Sequence, residues 1–187
     1  MNMKWYLITA ALISITFSSC SNGEKKEFLT DIEQMESKLD SMKAVANDST
    51  IHFPNQVNIS VRNTILKIKN NYTPDTIDYK LAEKINGYKE IRKAVSKNSG
   101  NLAKVKQTIP EVEKKLADLK HDIENNVNDR EKYQEFINYE QAKVKEIETV
   151  LSYYIETTEK YYNRYDSLHP IVNHIGDSLI ELKSSKQ

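Results

Sequence analysis

Cysteine, glycine and proline are scarce in this chain of 187 residues, which holds one, four and four of them. A single cysteine excludes an internal disulfide framework and a CxxC zinc site. So few glycines and prolines do not suit a turn-rich β protein and point instead to long helices. They also leave no GxSxG elbow, no P-loop and no GxGxxG turn, and little material for an oxyanion nest. Net charge is missing as well: 27 basic side chains balance 27 acidic ones. A nucleic-acid binder needs a basic face for phosphates, so nucleic acid is not an expected partner. Wholesale disorder is disfavoured, because 29% charged residues stand beside ample Ile, Leu and Val.

What is present begins with an address. Lys4 precedes the apolar run Trp5 to Phe17, and Ser18-Ser19-Cys20 follows. This is the order of a secretory signal: a positive start, an apolar stretch and small residues at a cleavage site. The run would reach about 20 Å as a helix, short of the roughly 30 Å of a hydrocarbon core. A signal peptide over residues 1–19 is therefore expected rather than a membrane span.

Phe17-Ser18-Ser19-Cys20 resembles the lipobox of bacterial lipoproteins, with Phe where Leu is commoner. The resemblance implies cleavage before Cys20, a diacylglyceryl thioether on its sulfur and acylation of the new amino group. Ser21 is not the Asp of an inner-membrane retention signal, so the resemblance favours the outer membrane and leaves the periplasmic or surface face open. Residues 20–27, containing Ser-Asn-Gly-Glu-Lys-Lys, read as a lipidated polar tether.

From Phe28 onward the apolar period is helical. Ile32, Met35, Leu39 and Met42 recur at gaps of three and four, ending near Asn47. Pro54 opens a second segment with Val57, Val61, Ile65 and Ile68 on one face, although the β-branched stretch Val57 to Val61 weakens it. Thr73-Pro74 has the chemistry of an N-cap with Pro at N1, and a third face follows in Ile77, Leu81, Ile85, Tyr88, Ile91 and Val95. Ser99-Gly100 is expected to close it.

Leu102, Val105, Ile109, Val112, Leu116, Leu119 and Ile123 then alternate gaps of three and four, and Thr108 with Glu111 fits a capping box. Tyr133, Ile137, Glu140, Val144, Ile147, Leu151, Tyr154, Thr158, Tyr161, Tyr165 and Leu168 continue the repeat, which is a coiled-coil seam. Between the two lie residues 124–132 with one apolar side chain. Asn128 with Glu131 permits a new helix after a tight turn, so the composition favours a hairpin over one helix from 109 to 168. His169-Pro170 is expected to interrupt the seam before a last helix bearing Ile171, Ile175, Leu179 and Leu182.

Tyr133, Tyr154, Tyr161 and Tyr165 fall on the seam and belong to the core, whereas Tyr139 and Tyr153 sit off it and should face solvent. The latter two are candidates for stacking on sugar rings or a partner protein. Asp166, His169, His174 and Asp177 gather near the end of the chain, but a gap of five across Pro170 does not match the spacing of helical metal ligands. They read as surface residues near helix ends. Carboxylates alternate with lysines, as in Glu111–Lys115 and Glu156–Lys160, which describes solvated faces rather than acid/base machinery.

One short pattern is over-represented. Asp40-Ser41-Met42, Asp48-Ser49-Thr50, Asp75-Thr76-Ile77, Asp166-Ser167-Leu168 and Asp177-Ser178-Leu179 involve five of the ten Asp residues. Composition alone predicts on the order of one such triplet. The triplet resembles the general O-glycosylation sequon of Bacteroidota, which would place glycans on Ser41, Ser49, Thr76, Ser167 and Ser178. Helix-end chemistry competes with that reading, since Asp and Ser both favour caps and turns.

The sequence therefore predicts an all-α fold, an elongated helical bundle or antiparallel coiled-coil hairpin. Residues 28–187 would form a single domain, with shorter helices over 28–98, long ones over 101–168 and a C-terminal helix over 170–184. No catalytic residue, cofactor or metal ligand set is expected. The expected role is that of a membrane-anchored envelope lipoprotein that binds or scaffolds another protein, with membrane contact through lipid on Cys20. Glycan or cell-wall binding and a holdase-like chaperone are the alternatives.

Overall fold

The computed structural model describes residues 3–52, 55–72 and 78–185, with side chains from residue 23 onward. The fold is an all-α helical bundle: α1 spans Met3–Asn47, α2 Asn55–Asn71, α3 Tyr79–Asn125 and α4 Arg130–Ser184, with a 3-10 turn at Ser49–Ile51. Among the described residues there is no strand. Pro54, Thr73-Pro74 and Ile77 lie outside the described residues. Asp78 caps α3 there, its Oδ1 accepting from the Leu81 amide at 3.1 Å. The chain divides into two compact units, residues 1–44 with 107–148 and residues 45–106 with 149–187. Helices α3 and α4 contribute to both.

In the first unit α1 packs on the α3–α4 hairpin. Phe28, Ile32, Met35, Leu39 and Met42 meet Ile109, Val112, Leu116, Leu119 and Ile123, together with Tyr133, Ile137, Val144 and Ile147, all buried. The expected hairpin forms without glycine. Asn126 takes φ 53°, the left-handed region that Asn tolerates better than most residues. Its amide reaches the Ile123 carbonyl at 3.3 Å, and the Val127 amide reaches that of Asp122 at 3.0 Å, the pairing of a Schellman cap. The Tyr133 hydroxyl donates to the Asp122 carbonyl at 2.8 Å and accepts from the Asn128 amide at 2.7 Å, which ties the turn to the core.

Residues 24–26 are not a free tether. They continue α1, where Glu24 pairs with Arg130 at 2.8 Å and Lys25 Nζ donates to the Glu124 carbonyl at 2.7 Å, a cation on the last turn of α3. Polar composition alone resembles a linker, and only the neighbouring turn supplies these partners. Glu140, on the seam, is buried, and that burial pushes its carboxyl above the ordinary glutamate range against the opposing pull of Lys115 and Lys143.

Three expected breaks do not occur. Helix α3 runs through Gly100 and Pro110, and α4 runs through Pro170. A helix-interior proline costs about 3 kcal/mol, whereas each buried Val, Leu or Ile contributes roughly 1.5–3 kcal/mol. Val105, Ile109, Val112 and Leu116 flank Pro110 and are buried, so packing outweighs the proline. Pro110 and Lys106 are both exposed, as are Pro170 and Asp166, so each carbonyl released by a proline faces water. Because α4 is unbroken, its seam continues as Leu168, Val172, Ile175 and Leu179. Val172 is fully buried, while Ile171 and Leu182, expected inside, are 44% and 58% exposed.

In the second unit Val57, Val61 and Ile68 of α2 meet Tyr88 and Ile91 of α3 and Val172 of α4, with Ile65, Ile85, Val95, Tyr165, Leu168 and Leu179 packed around them. The β-branched stretch of α2 is helical because Val57, Val61 and Thr64 all find this core.

Gly100 is exposed and nothing lies within 4 Å of where a Cβ would stand. Gly100→Ala should therefore stabilise the protein by about 0.5–1 kcal/mol, read as a higher denaturation midpoint at unchanged slope. An unchanged or lower midpoint would argue against helix at this position.

Candidate functional site

Two polar arrangements lie within the second unit. The first is a network in its core. Residues Ser60 and Thr64 project from α2, Tyr88 from α3, and Tyr165, His169 and Asn173 from α4. The Tyr88 hydroxyl lies 2.5 Å from His169 Nδ1, and Ser60 Oγ lies 3.4 Å from His169 Nε2. The Tyr165 hydroxyl donates to the same Ser60 oxygen at 3.1 Å. The Tyr165 and His169 rings stack at 4.7 Å, and Tyr88 lies 6.0 Å from the imidazole. One turn on, Thr64 and Lys67 both donate to Asn173, and Lys67 pairs with Asp177 at 2.5 Å.

Electrostatics decide what this network can do. Burial raises the Tyr88 phenol to about 12, so it remains a protonated donor. Burial, and then the Lys67 charge, lowers the His169 pKa, so the imidazole is neutral. Both ring nitrogens are thus engaged, Nδ1 by the Tyr88 phenol and Nε2 by Ser60. Ser60 Oγ also accepts from the Tyr165 hydroxyl. Among the described residues no carboxylate forms an ion pair with the His169 ring. The Ser-His contact, at 3.4 Å, lies within a network of mutually engaged core side chains. His169 is not the surface residue that its place beside Pro170 suggests: the unbroken helix turns it inward.

The second arrangement is a cleft of about 310 Å³ lined by Asn55, Asn58, Asn98, Thr157, Thr158 and Tyr161, among others. Asn98 occupies a seam position of α3 and is buried. Its amide nitrogen donates to the Tyr154 carbonyl at 2.8 Å and to Thr158 Oγ1 at 3.0 Å, and its oxygen accepts from Asn101 at 3.2 Å. A polar residue satisfied this way on an apolar seam fixes register. Asn58 Oδ1, by contrast, is buried with no hydrogen-bond partner. A neighbouring cleft of about 270 Å³ is lined by Tyr153, Lys93, Lys97 and Asn101. Neither Asn58 nor Asn98 stood out in sequence. The gap of three from Val95 to Asn98 and of four to Leu102 was the available signal.

The residues singled out by sequence are dispersed. Tyr139 is 60% exposed in the first unit, with Lys143 Nζ 5.8 Å from its ring centre, and Tyr153 is 52% exposed in the second. Ser41, Ser49 and Ser167 are exposed and Ser178 is half-buried. Thr76 and the side chain of Cys20 lie outside the described residues. Asp48 is accounted for by capping, since it accepts from the Thr50 amide at 2.8 Å, which lowers its pKa. Asp177 is held by Lys67 and Asn173 rather than acting as a cap. His174 is exposed, and among the described residues no group of three His, Cys, Asp or Glu side chains is placed to hold a metal.

No protein-family model, curated protein or solved structure matches the chain.

Two measurements probe the second unit. With the folded pKa of His169 below its ordinary value, the unfolded chain takes up the proton first as pH falls, so this residue removes stability below about pH 6.5. His169→Gln should show a shallower loss of stability between pH 7 and 5 than the parent protein; parallel curves would place the imidazole in solvent. Asn98→Ala should cost about 1–3 kcal/mol, because the Asn101 amide and the wall of the cleft lose their partner. A change within error in chemical denaturation would rule out a register role.

Proposed function

We propose that this protein is a lipid-anchored component of a bacterial envelope whose helical domain binds or scaffolds another protein. The anchor rests on one observation, the Phe17-Ser18-Ser19-Cys20 tetrapeptide behind a short apolar run. Lipid on Cys20 would hold the chain at a membrane, since each buried CH₂ contributes about 0.8 kcal/mol and more than one chain makes attachment stable. None of the described helices is long and apolar enough to cross a membrane. The scaffold reading is supported by the core network, whose Ser, His and Tyr groups are engaged with one another rather than presented to a substrate. The clefts of the second unit mix amides and hydroxyls with Val95, Leu102, Tyr154 and Tyr161, and a holdase would need a more apolar cavity.

Glycan binding is a second reading, favoured by the neutral amide- and hydroxyl-lined cleft with its Tyr161 wall and the unpaired oxygen of Asn58. In this reading Tyr153 serves the adjoining cleft, and Tyr139 acts separately in the first unit.

Intact-mass analysis of protein extracted from cells tests the anchor. The expected mature chain starts at Cys20 and carries acyl mass, and Cys20→Ser abolishes both the processing and partition into detergent. A mature N-terminus elsewhere, without lipid, would remove the proposal. Crosslinking in native cells then separates scaffold from glycan binding: recurrent capture of one protein supports the first, and polysaccharide pull-down lost on Tyr153→Ala supports the second.

A further inference from the structure

The zero net charge conceals a partition. Residues 1–44 with 107–148 hold 12 basic and 17 acidic side chains, whereas residues 45–106 with 149–187 hold 15 basic and 10 acidic ones. Most of the second unit's excess lies on α3. Between Glu90 and Glu111 there is no acidic residue, but Arg92, Lys93, Lys97, Lys104 and Lys106 are all present. Lysine and glutamate are thus not interleaved throughout, as the even totals suggest.

On α3, Lys89, Arg92, Lys93, Ser96 and Lys97 recur on successive turns of one side and are exposed. They line an open groove of about 630 Å³ whose apolar wall is Ile65 of α2. From Lys89 to Lys97 the stripe spans about 12 Å. Glu90, the one acid in this stretch, is engaged by Arg164 at 2.9 Å. Among the described residues no carboxylate forms an ion pair with Lys89, Arg92, Lys93 or Lys97. Beyond Ile65, the same side of α2 continues outward through Lys69 and Arg62 to Leu66 and Ile59, all exposed, the last two being large apolar residues facing solvent. Lys67, on the other side of α2, is already paired with Asp177.

Cations in a row, bordered by exposed Ile and Leu, have the chemistry of a surface that settles on a membrane: charge attracts anionic headgroups and the apolar side chains enter the interface. We propose that this α2–α3 face of the second unit lies against an anionic lipid surface. Its occupant is a phospholipid bilayer rather than a soluble anion, because Ile59, Leu66 and the Ile65 wall offer nothing to a free phosphate but are suited to the headgroup boundary. The face stands on its own charge and exposure and does not depend on lipid at Cys20.

Lysine footprinting tests it on the full chain. The protein is reconstituted into vesicles of phosphatidylcholine alone, or of phosphatidylcholine with phosphatidylglycerol, and treated with an acetylating reagent read out by mass spectrometry. Lys89, Lys93 and Lys97 should react several-fold more slowly on the anionic vesicles, each compared with its own rate on neutral ones and with Lys114 as the reference. Protection should vanish near 1 M salt, where the Debye length is about 3 Å. Arg92→Glu with Lys93→Glu should free Lys89 and Lys97 while helicity and Tm are kept; if that pair unfolds the unit, Arg92→Gln with Lys97→Gln serves instead. Equal reactivity on both vesicles overturns the proposal. So does equal protection on neutral vesicles by inorganic phosphate, which would mark a small-anion site, or by an acidic protein, which would mark a protein-docking face.

Discussion

The apolar seams of α3 and α4, with their gaps of three and four, are the constraint on which the rest of the structure depends. In the first unit they close under α1, and in the second under α2. Continuity of the seam decides matters that local propensity would settle otherwise. It carries α3 through Gly100 and Pro110 and α4 through Pro170, and it rotates Val172 rather than Ile171 into the core. The same rotation brings His169 against both Tyr88 and Tyr165.

Polar residues on the seams show two ways of entering an apolar core. Asn98 is fully bonded to the backbone and side chains opposite it, so it specifies register at little cost. Glu140 is buried, and desolvation raises its pKa despite the opposing pull of Lys115 and Lys143. The Tyr88–His169–Ser60 network belongs with Asn98. Each of its groups has a partner within the network.

Much of the fold was legible from spacing. Nearly every seam residue named from the sequence is buried or half-buried, and the hairpin at residues 126–129 follows from a polar stretch that apolar periodicity skips. The cap at Asn126 was less legible, because a left-handed residue there usually announces itself as glycine, and the Tyr133 hydroxyl that steadies the turn comes from beyond it. The misplaced breaks share one origin. Gly100, Pro110 and Pro170 are helix breakers by local cost alone, but Asn98 extends the seam across the first and Val172 across the last. The clefts of the second unit combine side chains from distant parts of the chain, so no single stretch of sequence carried their signal.

By itself the sequence determined the helical class, most of the residues that face inward, the lipobox-like tetrapeptide and the concentration of cations between Glu90 and Glu111. These are properties of spacing and composition, readable along one helix. Tertiary structure alone decided which helix breakers are overridden, where His169 points and which basic side chains share a groove. Those outcomes turn on contacts between residues far apart in the chain, such as Tyr88 with His169 and Asn98 with Tyr154. A cost of about 3 kcal/mol at a proline is local, but the burial that outweighs it exists only once the partner helices are in place.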